Sequence, residues 1–377
     1  MKIGLNLLFM IPGQVGGTEV FVRNIVESLS KIDNKNTYVL YLNQENSNYF
    51  GKLPKNFVKV VCNFNAVKRF KRIIWEQLVL PVQCYRDKID VLHSLGYTSP
   101  LITHCPKITT IYDLNYHYFP EDFSTLNLMV FKIMIPLVAY FSNIVMVHSY
   151  KTKKDMHNVL GIDNKKIKVV YGGVSEIFKK KMNSADVLKT INKYGIKKPF
   201  VFSAARSDPH KNLKSLIYAY DYLIHKYNIK QKLVLLGFHG RGQSELDKIL
   251  EKPELKNNVT FTGWVDPIDM PSFYKASDMF VFPSLYEGFG LPLVESMAAG
   301  VPLVTSNASC IPEVVGDGGL IVDTKNYKKM GEAMYKVLKS NTFRNTLIKK
   351  GIKKSQKYSW NDLVRFNIKI YESQTSK

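Results

Sequence analysis

The strongest constraint on this chain is a rhythm. Short, continuously apolar runs alternate with longer stretches of helical periodicity; the pattern runs through once, breaks and starts again. The first pass contains KIGLNLLF, TYVLYL, VKVVC, DVLHSL, KITTIY, IVMVHS and IKVVYGG, and the second contains FVFSAA, KLVLLG, NVTFTG, MFVFPS, PLVTS and GLIVD. A strand that is apolar at every position, rather than every second one, is covered on both faces. That is the mark of a parallel sheet with helices on each side. Between the passes, residues 176–198 are polar and basic with no strand pattern. The expected α/β architecture is therefore two doubly wound domains, 1–175 and 199–358, joined by a linker over 176–198 and facing each other across a cleft. A length of 377 residues suits two domains. A final helix over 359–377 starts at the cap candidate Ser359. Spacing alone assigns it to neither domain, and a return onto the first is one arrangement.

Two segments invite a membrane reading. MKIGLNLLFMIPG has the charge and apolar run of a signal peptide but no small-x-small cleavage site, and a glycine turn and amphipathic helix follow it. It reads as a buried first strand. LNLMVFKIMIPLVAYFSNIVMV is long enough to span, but Lys132, Pro136 and Ser142-Asn143 interrupt it. It reads as a helix ending near Phe141 followed by a strand. The four cysteines lack metal-site or disulfide spacing, which fits a reducing, cytoplasmic setting.

Lys and Arg outnumber Asp and Glu by 53 to 31, a net charge of +22. Nucleic acid, an anionic membrane surface and phosphorylated small molecules are the partners such a charge favours. Scattered lysines with no particular partner are the plain alternative. No nucleic-acid module or basic-aromatic platform is evident, so nucleic acid is not an expected partner. Residues 65–81 place Lys68, Arg69, Lys71 and Arg72 beside Phe70, Ile73, Ile74 and Trp75. A helix of this content can rest on anionic headgroups with Trp75 at the interface, or be an ordinary surface helix.

Three motifs sit where strands end and helices begin. In PGQVGGTEVFVRNIVESL, Gly16 and Gly17 allow close backbone approach, and the helix N-terminus offers N–H groups to an anion. In SAARSDPHKNL, Arg206 and Lys211 flank a turn before a helix, an arrangement that suits a diphosphate and equally describes solvated surface charge. In FPSLYEGFGLPLVESMAAG, Gly288 and Gly290 let a loop pass close to a ligand, Pro292 opens a helix, and the amides of Phe289, Gly290 and Leu291 can face the rim. Glu287 on the loop and Glu295, expected in the helix's first turn, can accept hydrogen bonds from sugar hydroxyls and a ribose diol. A favourable charge at a helix N-terminus accounts for Glu295 alone. It leaves Glu287 and both glycines unexplained.

YEGFGLPLVESMAAGVPLVTSNASCIPEVVGDGGLIVD resembles the donor-binding segment of retaining GT-B glycosyltransferases of the family-4 (group 1) type. The resemblance extends in order through GGTEVFVRNIVESL, SYKTKKDMHNVLGIDNKKIKVVYGGV and SAARSDPHKNL, over nearly the whole chain. It implies a fold of two Rossmann-like domains, an acceptor domain and then a donor domain. It implies transfer of a hexose from a nucleotide-diphosphate sugar, GDP-mannose or a UDP-sugar, to a lipid-linked or polysaccharide acceptor. The setting it implies is bacterial surface-polysaccharide assembly, at the inner face of the plasma membrane.

By the same resemblance, Arg206 and Lys211 hold the diphosphate and stabilise it as leaving group. Glu287 contacts the transferred sugar. Gly288 and the amides of Phe289, Gly290 and Leu291 hold sugar hydroxyls and a phosphate oxygen, and Glu295 binds the ribose. Gly263 and Trp264 lie near the base, while Gly16 and Gly17 close over the phosphates or admit the acceptor. Asp113 is the candidate acceptor-side base. The family commonly carries His-Asp at the position that here reads Tyr112-Asp113; His117 follows nearby. Arg, Lys and helix N-termini can stabilise a leaving diphosphate, and no DxD-type dyad is evident, so no metal or cofactor is expected.

Two rival enzymes remain. A glycosidase or phosphorylase holds its two carboxyls ~5–9.5 Å apart across the scissile bond. Glu287 and Glu295 belong to one loop-helix unit, and the Arg/Lys pair has no role in simple hydrolysis. A nucleotide-sugar epimerase of GT-B shape is the nearer alternative. A basic nucleic-acid-binding protein is the alternative from a different class.

Overall fold

The structure, a computed structural model, describes residues 1–375. The last two residues of the expected C-terminal helix, 376 and 377, lie outside them. The chain divides into two compact units, each built on one parallel sheet.

The first unit comprises Met1–His117, Thr125–Gly173 and the C-terminal segment from Ser359. Its strands are β1 (Lys2–Asn6), β2 (Thr37–Leu42), β3 (Phe57–Val61), β4 (Val91–Ser94), β5 (Lys107–Thr110), β6 (Ile144–Val147) and β7 (Ile167–Val169). They pair in parallel in the order β3-β2-β1-β4-β5-β6-β7. The interior strands β4, β5 and β6 are buried at every position, as their uninterrupted apolar pattern requires. Edge strand β3 instead leaves Val58 and Val61 exposed. The long apolar run forms helix Thr125–Phe141 and then β6. No helix among the described residues is long and apolar enough to cross a membrane.

Helix Trp360–Thr375 packs in this unit against helix Gly17–Ile32. Gly173 makes room for it, since a Cβ there would lie 2.3 Å from the Trp360 amide nitrogen. The Trp360 ring meets Phe21 edge-on at 5.0 Å, and the Tyr371 hydroxyl lies 2.7 Å from His93 Nδ1.

The second unit comprises Tyr118–Ser124 and Val174–Tyr358. Its strands are β8 (Phe200–Ala204), β9 (Lys232–Leu236), β10 (Val259–Gly263), β11 (Met279–Phe282), β12 (Leu303–Ser306) and β13 (Leu320–Val322). They pair in parallel in the order β10-β9-β8-β11-β12-β13. Phe202 packs on one face against the tilted ring of Phe280 and the edge of Tyr274, with ring centroids 4.8 and 5.1 Å away. Val201 and Val281 face the opposite side, packed with Leu216 and Tyr220 of helix Leu213–Tyr227. Each large side chain buried in this way contributes roughly 1.5–3 kcal/mol.

Residues 176–198, read from sequence as a linker, contain a helix, Ser184–Lys193, that belongs to this second unit. Asn183 caps it by accepting from the Ala185 amide, and Val187 and Ile191 are buried one turn apart. Leu188, between the two buried positions, stays exposed, and the lysines on either side of the helix give the whole stretch a basic, polar character that hides the docked stripe.

Both sheets reverse their strand order at one place: between β1 and β4 in the first, and between β8 and β11 in the second. In open parallel sheets, the crevice for a ligand opens outside the carboxyl ends of the strands at such a reversal.

Candidate functional site

The second unit gathers charged groups above its reversal point. The loop after β8 carries Arg206 and Lys211, and the loop after β11 carries Glu287. Lys211 Nζ donates to Glu287 Oε1 at 2.6 Å, with the side chains only 20% and 12% exposed. The same ammonium lies 5.7 Å from the centre of the Phe282 ring, at the end of β11. Arg206 is more open to solvent, and its Nε is 3.2 Å from Asp208 Oδ2.

Side chains and backbone lock these loops together. Leu285 donates its amide to the His210 carbonyl at 2.8 Å. Asn212, in the left-handed region at φ 57°, donates through Nδ2 to the carbonyls of Pro283 and Thr324. His210 Nδ1 lies 2.5 Å from Asp122 Oδ2. The loop after β9 closes onto the loop after β8: Gly240 N donates to Ser207 Oγ at 2.6 Å and Gly242 N to the Ser207 carbonyl at 2.7 Å. Gly237 is essential to that approach. Its φ is +135°, and a Cβ there would fall 2.4 Å from the Ala205 carbonyl oxygen.

The glycine loop after β11 is similarly fixed. The Glu287 carbonyl accepts from Ser309 Oγ at 2.8 Å and from Cys310 Sγ at 3.1 Å. Gly288, Phe289 and Gly290 are buried, and Phe289 meets Tyr358 edge-on at 5.4 Å. Gly290 caps helix Leu291–Ala299 at φ +85°, a conformation that strains any residue with a Cβ. Pro292 sits in the first turn. The amides of Gly290 and Leu291 find no acceptor among the described residues, so they are the donors that a helix N-terminus leaves for an anion.

Glu295 differs from expectation. The helix starts at Leu291, so Glu295 lies in its second turn, beyond the N-terminal donors. It is held by a hydrogen bond to Oε2 from the hydroxyl of buried Tyr274, at 3.1 Å. Burial, followed by the Glu295 charge, keeps the Tyr274 hydroxyl protonated far above neutral pH, so it remains a donor.

Gly263 ends edge strand β10 at φ +71°, and its carbonyl accepts from Gly237 N at 2.9 Å. Trp264, half exposed, follows on the same rim. The loops carrying Trp264, Gly237, Ser207 and Arg206 are thus connected hydrogen bond by hydrogen bond. Sequence reading singled out neither Gly237–Gly242 nor Tyr274. The string GFHGRG after an apolar run was the available signal for the former; nothing local marks the latter.

The other candidates belong to the first unit. Gly16, at φ +59°, is the residue before helix Gly17–Ile32; a Cβ on Gly16 or Gly17 would meet nothing within 4 Å. Asp113 follows β5, and its Oδ1 accepts from the Asn115 amide at 3.0 Å. Tyr112 is a packed core residue: its hydroxyl donates to the Leu95 carbonyl at 2.8 Å, and its ring lies 5.3 Å from both Phe21 and His148. Burial lowers the pKa of His148 to about 4 and that of His93 to about 3, so both are neutral at physiological pH.

Trp75 does not take the interfacial position expected of it. It stacks on Phe64 at 5.3 Å and packs against the core. The outward residues of helix Arg69–Arg86 are Phe70, Ile74, Leu78, Val82 and Tyr85, spaced three or four apart.

Two Rossmann-like sheets in one chain, the second with cations and a glycine-loop helix at its reversal point, define the GT-B class. Solved structures agree on the fold. Sucrose-phosphate synthase from Thermosynechococcus elongatus superposes with a TM-score of 0.80 at 17% identity, covering 99% of this chain and 98% of that one. HepE from Anabaena, solved with UDP and glucose, gives 0.77 at 20% identity, covering 99% and 100%.

The model for "Glycosyl transferases group 1" matches residues 186–354, and that for "Glycosyltransferase Family 4" matches residues 15–176. The chain belongs to the group 1, family-4 type of glycosyltransferase. Among its relatives, the O-antigen chain mannosyltransferase B of Escherichia coli is 31% identical over 50% of each chain. The O-antigen chain mannosyltransferase RfbU of Salmonella typhimurium is 25% identical over 76% of this chain and 78% of that one. The match thus spans half the length of the first relative and about three quarters of the second.

Proposed function

We propose that this chain is a retaining hexosyltransferase that uses a nucleotide-diphosphate sugar as donor and a lipid-linked or polysaccharide chain as acceptor. One observation carries the donor half of the reading. Lys211 and Glu287 meet at 2.6 Å over the β8/β11 reversal, beside Arg206 and the two unsatisfied amides of Gly290 and Leu291. Breaking a sugar–phosphate bond builds negative charge on the departing diphosphate, and fixed cations and amides aimed at that charge are the largest lever available.

In this reading Lys211 and Arg206 hold the diphosphate, and Glu287 turns from Lys211 toward the hydroxyls of the transferred sugar. Glu295, oriented by Tyr274, takes the ribose diol, and Trp264 lies toward the base. Asp113 serves as acceptor-side base. No metal is required, because the cations and amides supply the charge stabilisation. The relatives named mannosyltransferases favour mannose as the hexose, with GDP-mannose as the donor we infer, and the HepE complex with UDP and glucose keeps a UDP-sugar beside it.

The test is calorimetric titration and thermal shift with UDP, GDP and ADP, with and without magnesium. A ligand at a hundred times its Kd stabilises the fold by about 2.7 kcal/mol. A saturable response to one diphosphate without magnesium, lost in Arg206→Ala, is the expected result. No response to any diphosphate would remove the donor site.

Attachment to an anionic membrane surface is the second part of the proposal. Phe70, Ile74, Leu78, Val82 and Tyr85 make an exposed apolar stripe, with exposed Lys68, Arg69 and Lys71 at its start. Helix Thr125–Phe141 carries a second stripe, Leu126, Met129, Ile133, Leu137 and Tyr140, with Lys132 beside it. Apolar stripes flanked by cations suit the boundary between headgroups and acyl chains. Sedimentation with anionic vesicles should weaken with salt and in Phe70→Ser. Equal binding to neutral vesicles would oppose this part.

A further inference from the structure

The short segment Tyr118–Ser124 belongs to the second unit, although the chain before it, to His117, and after it, from Thr125, belongs to the first. Its centre is a single helical turn, Pro120–Asp122. Proline leads the turn, where its ring pre-sets the backbone and its missing N–H is not needed. This turn packs against a second of the same kind, Pro209–Lys211, which carries Lys211 at its end.

Asp122 joins the two turns. Its Oδ2 lies 2.5 Å from His210 Nδ1, with the side chains only 3% and 11% exposed. A carboxylate buried this deeply is costly without a partner, so the pair is a dedicated contact rather than a chance surface encounter. His210 is also held through its backbone. Its carbonyl accepts from the Leu285 amide at 2.8 Å and from the Ser284 hydroxyl at 3.3 Å. Rings widen the contact: Phe119 lies 6.0 Å from the His210 ring and 6.3 Å from that of Tyr286, and Tyr118 lies 4.8 Å from Tyr286.

The segment therefore touches the residue immediately before each member of the Lys211–Glu287 pair. Lysine has a flexible four-carbon stem, so the reach of its ammonium is set by where its backbone is rooted. A single turn roots it weakly from within. Its own backbone bonds are those from the Lys211 amide to the Asp208 carbonyl, at 2.9 Å, and from the Asn212 amide to the Pro209 carbonyl, at 3.0 Å. The remaining anchorage comes from outside the turn, and the Asp122–His210 pair is its buried, charged part.

We infer that Asp122 is a positioning residue for Lys211: through His210 it fixes the turn from which Lys211 meets Glu287. The positioning is a property of the second unit alone; its consequence for sugar transfer rests on the transferase reading above.

The test uses the full chain as wild type, Asp122→Ala, Asp122→Asn, Lys211→Met and the double variant Asp122→Ala/Lys211→Met. Asp122→Asn keeps the shape of the side chain and carries the test should the alanine variant fail to fold. The first readout does not depend on what the protein binds. Lysines are acetylated with a limiting amount of an amine-reactive ester, and the rate at each site is read by mass spectrometry. Lys275, which donates to the Ala299 carbonyl at 2.7 Å in the same unit, is the internal control. Labelling of Lys211 should rise at least about threefold in Asp122→Ala, and by less in Asp122→Asn, while Lys275 stays unchanged, as when one local contact opens and the fold does not. The second readout is hexose transfer. Asp122→Ala should lower kcat about tenfold or more, as misplacement of a reacting group does. In the Lys211→Met background the same substitution should cost less than about twofold, because two changes that act through one group do not add.

Three results would overturn the inference: Lys211 labelling unchanged in both Asp122 variants, Lys275 labelling raised as much as that of Lys211, or the same fold-loss of kcat with and without Lys211. The first of these in a chain that binds a diphosphate would leave the donor reading intact. Conversely, labelling raised at Lys211 alone, in a chain that binds no diphosphate, would keep the positioning role and remove the donor reading.

Discussion

Replacing Lys211 by Met separates a catalytic ion pair from a structural one. Lys211 and Glu287 are 2.6 Å apart and partly screened by water. A charge-assisted bond of this kind contributes ~1.5–3 kcal/mol when buried, and about 1 kcal/mol or less as exposure rises. With these side chains a fifth and an eighth exposed, the loss in Lys211→Met should be about 1 kcal/mol. In a domain of this size that lowers Tm by roughly 2–4 °C. If Lys211 also faces the leaving diphosphate, it acts on charge that exists only late in the reaction. Removing one such group costs about 10²–10³ in kcat, or ~2.7–4 kcal/mol of transition-state stabilisation. The activity loss should therefore exceed the stability loss several-fold in energy. Adding Glu287→Gln to make the double variant removes the orphaned carboxylate. It should return most of the lost Tm and none of the activity. The assay is transfer of a radiolabelled hexose from the nucleotide sugar identified by titration, with Tm and diphosphate Kd measured on the same samples. If kcat falls less than about threefold, or if the double variant recovers activity along with Tm, the pair is structural and the donor assignment fails.

Other perturbations read other parts of the fold. Gly290→Ala places a Cβ 2.6 Å from Leu293 Cδ1 at φ +85°; it should destabilise the chain by about 1–3 kcal/mol in urea unfolding and weaken diphosphate binding with it. Tyr274→Phe leaves no cavity but removes the donor to Glu295 Oε2, so stability should fall by about 0.5–1.5 kcal/mol and titration should show weaker nucleotide binding. His93 and His148 are neutral in the folded chain, with pKa lowered by burial to about 3 and about 4. Their unfolded forms titrate near ~6.5, so between that value and about 4 the unfolded chain binds more protons, and stability falls as pH falls. The decline should approach ~1.4 kcal/mol per pH unit for each histidine, seen as a drop in urea midpoint from pH 7 to pH 5. A flat midpoint over that range would contradict their burial as neutral groups.

The fold was largely legible because its signal is redundant. Thirteen apolar runs correspond to thirteen strands, and the break between passes falls where one sheet gives way to the other. The helix Ser184–Lys193 was not legible, because Val187 and Ile191 dock it while Leu188 beside them stays exposed, within a longer stretch rich in lysine. The rim of the second unit was visible in Arg206, Lys211, Glu287 and Gly290, since charges and glycines at strand ends are local features of sequence. Tyr274 and the Gly237–Gly242 loop act on that rim from distant segments, and no local pattern carries a hydrogen bond across tens of residues. The turn occupied by Glu295 was misjudged for a simpler reason. The helix begins after Gly290, where the left-handed cap fixes its start, and sequence alone places a helix boundary only to within a few residues. Trp75 shows a different limit: a tryptophan beside four basic residues looks interfacial, yet Phe64 from a neighbouring loop draws it against the core.

At the reversal of the second sheet, Lys211 is already paired with Glu287. Under the proposed donor reading, a diphosphate takes the place of that carboxylate. A preformed pair costs little while the site is empty, and it makes binding an exchange, in which Glu287 is released as the phosphate arrives. Under the same proposal, release of Glu287 frees it to meet a sugar hydroxyl, so occupation of one half of the proposed site prepares the other.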